Sequence, residues 1–162
     1  MIVRTRVAIA EDCERISRLL QQGDRLHALL LPDVFCQPQE MNRPLETLTS
    51  VITSDASDYI LAEAEGDLLG VASIRIGATP AGSPLRPQAH AILDHMVVEE
   101  RSRHLGVGKA LLRYAQQWAR NRHLQFVQIT VWAANAEALQ FYARQGFRLV
   151  SQKMELRVRE AT

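Results

Sequence analysis

Cysteine is scarce in this chain. Cys13 and Cys36 are the only two, and their separation fits no metal-ligand spacing, so neither a disulfide scaffold nor a metal centre is expected. In a reducing compartment both read as free thiols, and Cys13, inside a helical pattern, reads as a small packed residue. Long hydrophobic runs are missing as well. No window approaches the roughly 18 to 20 apolar residues of a membrane span, and Met1-Ile2-Val3-Arg4-Thr5-Arg6 has no apolar signal segment. These absences argue against a membrane partner and for a cytoplasmic protein. Charge of one sign is not in excess: 19 Lys and Arg against 18 Asp and Glu give a net charge of +1, too little for a basic field that would mark nucleic acid as the partner. Internal repeats and low-complexity segments are absent. What is present suits one globular domain over residues 1–162, with 47% hydrophobic and 23% charged residues, enough to bury a single core.

Read in order, Ile2 to Val7 alternates like a half-exposed strand. Glu11-Asp12 then open a helix that Gly23 is expected to interrupt, and a second helix from Arg25 to Leu31 ends at Pro32. Asp33 to Asn42 reads as a loop, and Pro44 suits the first turn of a third helix reaching about Ser54. Tyr59 to Ala64 and Leu69 to Ile76 look like strands of a hairpin, joined around Glu65-Gly66-Asp67. Gly77 to Gln88 holds three prolines and two glycines, so it is a loop able to act as a substrate lid. His90 to Val98 is a fourth strand. Val107 to Asn121 carries Val107, Leu111, Ala115, Trp118 and Ala119 on one helical face, and Phe126 to Trp132 is a fifth strand, rich in β-branched and aromatic residues. A helix between the fourth and fifth strands makes them parallel neighbours. Asn135 is a good N-cap and Gly146 a good C′ residue for a helix from Ala136 to Gln145. Phe147 to Val150 and Lys153 to Arg157 alternate as one or two closing strands.

Arg103-His104-Leu105-Gly106-Val107-Gly108-Lys109 stands where the fourth strand turns into a helix. Glycines at i and i+2 let backbone approach a ligand, the first helical N–H groups lack intrahelical partners, and Arg103, His104 and Lys109 add side-chain donors. The stretch reads as a pyrophosphate cradle. It is not a P-loop, because Arg103 stands where that motif needs glycine and Ala110 where it needs Ser or Thr. It is not the dinucleotide fingerprint either, since Leu111 occupies the third small-residue position and the motif follows the fourth strand rather than the first.

The remaining pattern, R-x-x-G-x-G before an amphipathic helix, resembles the acetyl-CoA signature of the GCN5-related N-acetyltransferases (GNAT). A second block, Val131 to Phe147, resembles that family's V-x-x-x-N-x-x-A-x-x-x-Y-x-x-x-G-F at every fixed position, and Val98 matches the valine preceding the Arg-rich turn. The likeness is close over roughly residues 58 to 157 and loose before that. It implies a three-layer α/β/α fold with a mixed sheet of six or seven strands, antiparallel except for a parallel fourth and fifth pair that splays apart. It implies acetyl-CoA as co-substrate and no metal. A bulge in the fourth strand would open the wedge, the main chain of Met96, Val97 and Val98 would bond the pantetheine arm, Arg103 to Lys109 would hold the pyrophosphate, and Asn135, Ala138 and Tyr142 would complete the cofactor contacts. Tyr142 matches the tyrosine that protonates the leaving thiolate.

Attack by a protonated amine needs a base. Asp94, four residues before Val98, is the first choice, and an apolar setting there would tune it. Ile92 occupies the other family position. His95 is the second choice and points to the opposite face unless a bulge changes the parity; His90 is a third. Asp94 also reads as a structural strand-end residue, and Asn135 as a simple cap. His27, Asp33 and Phe35 are candidate walls of an acceptor pocket. The activity so implied is transfer of acetyl to the primary amine of a small molecule. A protein amino terminus or lysine as acceptor, and a non-catalytic acyl-CoA-binding module, are the alternatives. A homodimer is a family-level expectation.

Overall fold

The computed structural model describes residues 1–36 and 44–158. By compactness the chain forms two units, Met1–Thr130 and a smaller one from Val131 onward. The larger is built on five strands: β1 (Arg4–Val7), β2 (Ser57–Ala64), β3 (Asp67–Ala78), β4 (Ala89–Val98) and β5 (Val127–Ile129), arranged in sequence order across one sheet. Neighbours pair antiparallel except β4 with β5, which are parallel. The β2–β3 connection turns on Glu65 and Gly66 at φ +54° and +91°, the left-handed pair that a two-residue hairpin turn requires.

Helices cover both faces of this sheet. On one side lie α1 (Cys13–Leu30) and α2 (Leu45–Ile52), whose Ile16, Leu19, Leu20 and Leu48 pack with Tyr59, Leu61 and Val71. On the other lies α3 (Val107–Asn121), with the expected stripe of Val107, Leu111, Ala115, Trp118 and Ala119 all buried. A side chain of Leu or Val size buried this way contributes about 1.5–3 kcal/mol. Trp118 donates its indole N–H to Asp58 at 2.5 Å, and Arg122 lies 3.9 Å from the Trp118 ring centre. No described helix is long and apolar enough to cross a membrane.

Three expectations need correction. Gly23 does not break the first helix: α1 runs through it, because a single helical glycine costs only about 1 kcal/mol. Its missing side chain has a use instead. A Cβ on Gly23 would sit 2.7 Å from Cγ2 of Val97, so glycine lets α1 seat directly on β4. The six or seven strands become five among the described residues, since Phe147–Val150 and Lys153–Arg157 join no ladder. Their alternation supplies apolar side chains, but a strand exists only where a neighbour takes its N–H and C=O groups, and Leu149 and Val150 remain 71% and 75% exposed. The fifth strand shrinks from Phe126–Trp132 to Val127–Ile129. The loop expected over 33–42 lies partly outside the described residues; the loop after β3 is closed at its base by Thr79, whose N–H donates to Gln88 and whose hydroxyl donates to the Arg86 carbonyl.

β1 is fastened to α1 by charge. Arg6 forks onto Asp12 at 2.6 and 2.9 Å while its Nε reaches Glu63 at 2.9 Å, and the Ile9 amide also donates to Asp12. The Arg6 hydrogen bonds, more than the Ile9 amide, hold the Asp12 carboxyl below its ordinary value. A depressed folded-state value contributes stability above the unfolded value near 4, and that contribution disappears as pH falls through the lower folded one. Asp12→Asn is therefore expected to lose about 1–3 kcal/mol at pH 7, with the gap to wild type closing as pH falls below the ordinary carboxylate value and through the lower folded one. Urea unfolding across this pH range measures it.

Candidate active site

The centre of the candidate site is an irregularity in β4. Ile74 of β3 pairs with Leu93 and Ser73 pairs with His95, so Asp94 has no opposite residue. One extra residue of this kind is a β-bulge, which bends the strand and reverses its side-chain alternation. The β4–β5 ladder ends at the same point. It joins Ala91 to Val127, Ile92 to Gln128 and Leu93 to Ile129, so among the described residues the strand from His95 to Val98 is laddered to β3 alone. A stretch of backbone with one unladdered edge is able to bond an extended ligand as an added strand would.

The bulge decides where the candidate bases point. Arg75 of β3 grips Asp94 in a fork, Nε to Oδ2 at 2.7 Å and Nη2 to Oδ1 at 3.2 Å. Ser73 lies two residues from Arg75 and shares its face, and His95 sits opposite Ser73. Asp94 and His95 therefore project to the same side of the sheet. His90, opposite Gly77, lies there too: a Cβ on Gly77 would come 3.1 Å from Nε2 of His90 and 2.3 Å from Cδ1 of Ile92. The apolar setting expected for Asp94 is not found, because its carboxylate is engaged by the Arg75 guanidinium and its side chain is one-third exposed. Arg75 is the residue the sequence did not single out. Its partnership depends on cross-strand register, and the bulge shifts that register by one.

Past the bulge, Met96 and Val98 lie opposite Ala72 and Gly70, on the α3 face, while Val97 turns toward Gly23 of α1. The chain then makes a short 3₁₀ turn at Glu100–Ser102, with the Ser102 hydroxyl donating to Glu99, and enters the cradle. His104 and Gly106 take φ +61° and +85°. Left-handed backbone costs a non-glycine residue roughly 1–2 kcal/mol, so glycine at 106, the N-cap of α3, is the cheap solution and His104 carries strain. Among the described residues no side chain caps the helix, and no acidic residue occupies its first turn. The first-turn amides, Val107 to Lys109, have no acceptor within the helix by its geometry. Val107 itself is core, so only its main chain is offered to a ligand, whereas Arg103 is half-buried and His104, Leu105 and Lys109 are exposed. On α1, His27 stacks on Phe35 at 4.9 Å between ring centres, and burial pushes its imidazole down from its ordinary value.

The smaller unit contains α4 (Ala136–Arg144) and explains its own motif. Asn135 accepts the Ala138 N–H on Oδ1 at 3.1 Å, so it is a cap, and the Ala138 amide is occupied by it. At the other end Gly146, φ +88°, donates to Ala143 and Phe147 donates to Tyr142, each at 3.0 Å. That is the Schellman pattern, whose usual apolar contact between C″ and C3 is here the Tyr142–Phe147 edge-to-face pair at 5.3 Å. The spacing Y-x-x-x-G-F thus ties the tyrosine to a helix terminus. Tyr142 is buried, and desolvation pushes its phenol well above the ordinary value, which keeps it protonated through the neutral range.

Comparison with known proteins agrees with this architecture. The acetyltransferase (GNAT) family profile matches residues 23–147, and the chain belongs to that family. Mycothiol acetyltransferase of Acidothermus cellulolyticus is 31% identical over 100 residues, 58% of this chain and 31% of the relative. The matched stretch spans under half the length of each curated relative found. Among solved structures, a mutant of the BH1408 protein from Bacillus halodurans superposes with a TM-score of 0.89 at 21% identity, covering 98% of this chain and 99% of that one. An aminoglycoside N-acetyltransferase, AAC(6')-Iy in complex with CoA, gives 0.72 at 19% identity over 98% and 95%. At such identities these structures testify to the fold.

The α4 terminus yields a stability test. Gly146→Ala forces a Cβ into left-handed backbone and is expected to cost about 1–2 kcal/mol, read as a lower thermal or urea midpoint, although a Cβ there would meet no atom within 4 Å.

Proposed function

We propose that this chain is an acetyl-CoA-dependent N-acetyltransferase, one catalytic domain over residues 1–162, acting on the primary amine of a small molecule. The observation that carries this reading is the coincidence of the Asp94 bulge with the end of the β4–β5 ladder. The unladdered stretch Asp94–Val98 leads directly into the anion-binding start of α3. An acyl-CoA fits that order of features: an amide-containing arm for the strand edge and a pyrophosphate for the Arg103–Lys109 amides and cations. Relatives named for mycothiol and streptothricin acetylation support a small acceptor.

In the proposed reaction the acceptor nitrogen, once deprotonated, bonds to the thioester carbonyl carbon, the carbon–sulfur bond breaks, and the products are the N-acetylated amine and the CoA thiol. Main-chain N–H groups of β4 stabilise the oxyanion that forms. Asp94 takes the amine proton, directly or through water, and must share its oxygens with Arg75 to do so. His95, brought to the same side by the bulge, is the second base. The Tyr142 hydroxyl, kept protonated by burial, returns a proton to the departing sulfur.

A panel of primary amines with acetyl-CoA, followed by released thiol, tests the assignment. Wild type is expected to release thiol with at least one amine, and Tyr142→Phe to lower kcat by roughly 10²-fold or more. CoA binding without thiol release across the panel would instead identify a binding module.

A further inference from the structure

The Arg75–Asp94 pair has capacity that the transfer reaction leaves unused. The fork consumes one hydrogen on Nε and one on Nη2 of Arg75, so Nη1 and the second Nη2 hydrogen are left over, and each carboxylate oxygen keeps a free lone-pair direction. The pair is no buried strut: its side chains are 47% and 33% exposed, a setting in which an ion pair contributes little to stability. It stands at the bulge, on the side of the sheet to which His90 and His95 also project. A positive fork and a negative carboxylate thus lie side by side where the acceptor amine must arrive. We propose that the acceptor is a zwitterion of the amino-acid type, its ammonium group received by Asp94 and its neighbouring carboxylate by the free N–H groups of Arg75.

This inference rests on the transferase reading and narrows its acceptor. The arrangement suits a planar carboxylate, which a guanidinium recognises through paired donors. It disfavours polycationic acceptors of the aminoglycoside kind. Of the strand residues that project around the bulge on this side, His90, Ile92, Asp94, His95, Ser73 and Arg75, the only carboxylate already has a cation beside it. A second and third ammonium group would meet Arg75 without a compensating acid from these strands.

The test compares matched acceptors on the full chain: an amino acid, its amide, and the amine that lacks the carboxyl group, with an aminoglycoside as the polycationic control. Two readings are taken, thiol release with acetyl-CoA and calorimetric acceptor binding in the presence of CoA. Wild type is expected to prefer the carboxylate-bearing amine over its amide by roughly 10- to 100-fold in kcat/KM and in affinity. Arg75→Met should reduce that preference to near unity, and Arg75→Lys, which keeps the charge without the fork, should restore part of it. Thiol release that is equal for the matched pair, or greatest with the aminoglycoside, overturns the inference while the transferase reading stands. A binding preference that persists in wild type, vanishes in Arg75→Met and is accompanied by no turnover sustains the inferred ligand class and overturns the transferase reading. A preference unchanged in Arg75→Met removes Arg75 from recognition. Absence of both turnover and acceptor binding overturns both readings.

Discussion

One inserted residue in β4 governs the geometry of the candidate site. With Asp94 left out of the β3 register, the strand bends and its alternation reverses, so His95 joins Asp94 on one side while Met96 and Val98 face α3. β5 stays with β4 only up to Leu93. Everything the proposed reaction needs from the larger unit lies within the next few residues: the unladdered edge, the two candidate bases, and the turn into the α3 amides. The surrounding packing serves to keep that edge in place. Gly23 lets α1 rest on Val97 just beyond the bulge, and Gly70 leaves room for Val107 and Leu111 of α3 on the opposite face.

Charge balance separates the two functional regions. The start of α3 has amides, Arg103 and Lys109 and no acidic first-turn residue, an arrangement suited to a dianion. The bulge has Asp94 beside Arg75, a locally neutral pair. A nucleotide-bearing donor and a zwitterionic acceptor would therefore be sorted by electrostatics before any shape selection, with the phosphates drawn to the helix and the amine to the strand. His104, in left-handed backbone without glycine's freedom, is the one strained residue of the cradle.

Local chemistry was legible from the residues. The α3 span, its buried stripe, the hairpin at Glu65-Gly66, and the cap and terminus of α4 all follow from periodicity and from residues whose side chains act on their own backbone. The bulge was implied by resemblance to the GNAT family, since no single residue announces an insertion that exists only relative to a partner strand. Features that depend on distant contacts escaped in the same way. Gly23 looks like a breaker until Val97 is found beneath it, and Arg75 looks like a solvent-facing strand residue until register brings Asp94 to it. Phe147–Val150 and Lys153–Arg157 show the converse, a correct alternation with no ladder to complete it.

Amide NMR during titration with CoA reads the β4 edge and the α3 start at single-residue level. The amides of the unladdered β4 stretch around Met96 and Val98, together with those of Gly106 to Lys109, are expected to shift and become protected from exchange, in one saturable step. Perturbations that saturate elsewhere while these amides stay unchanged would contradict CoA binding along this edge.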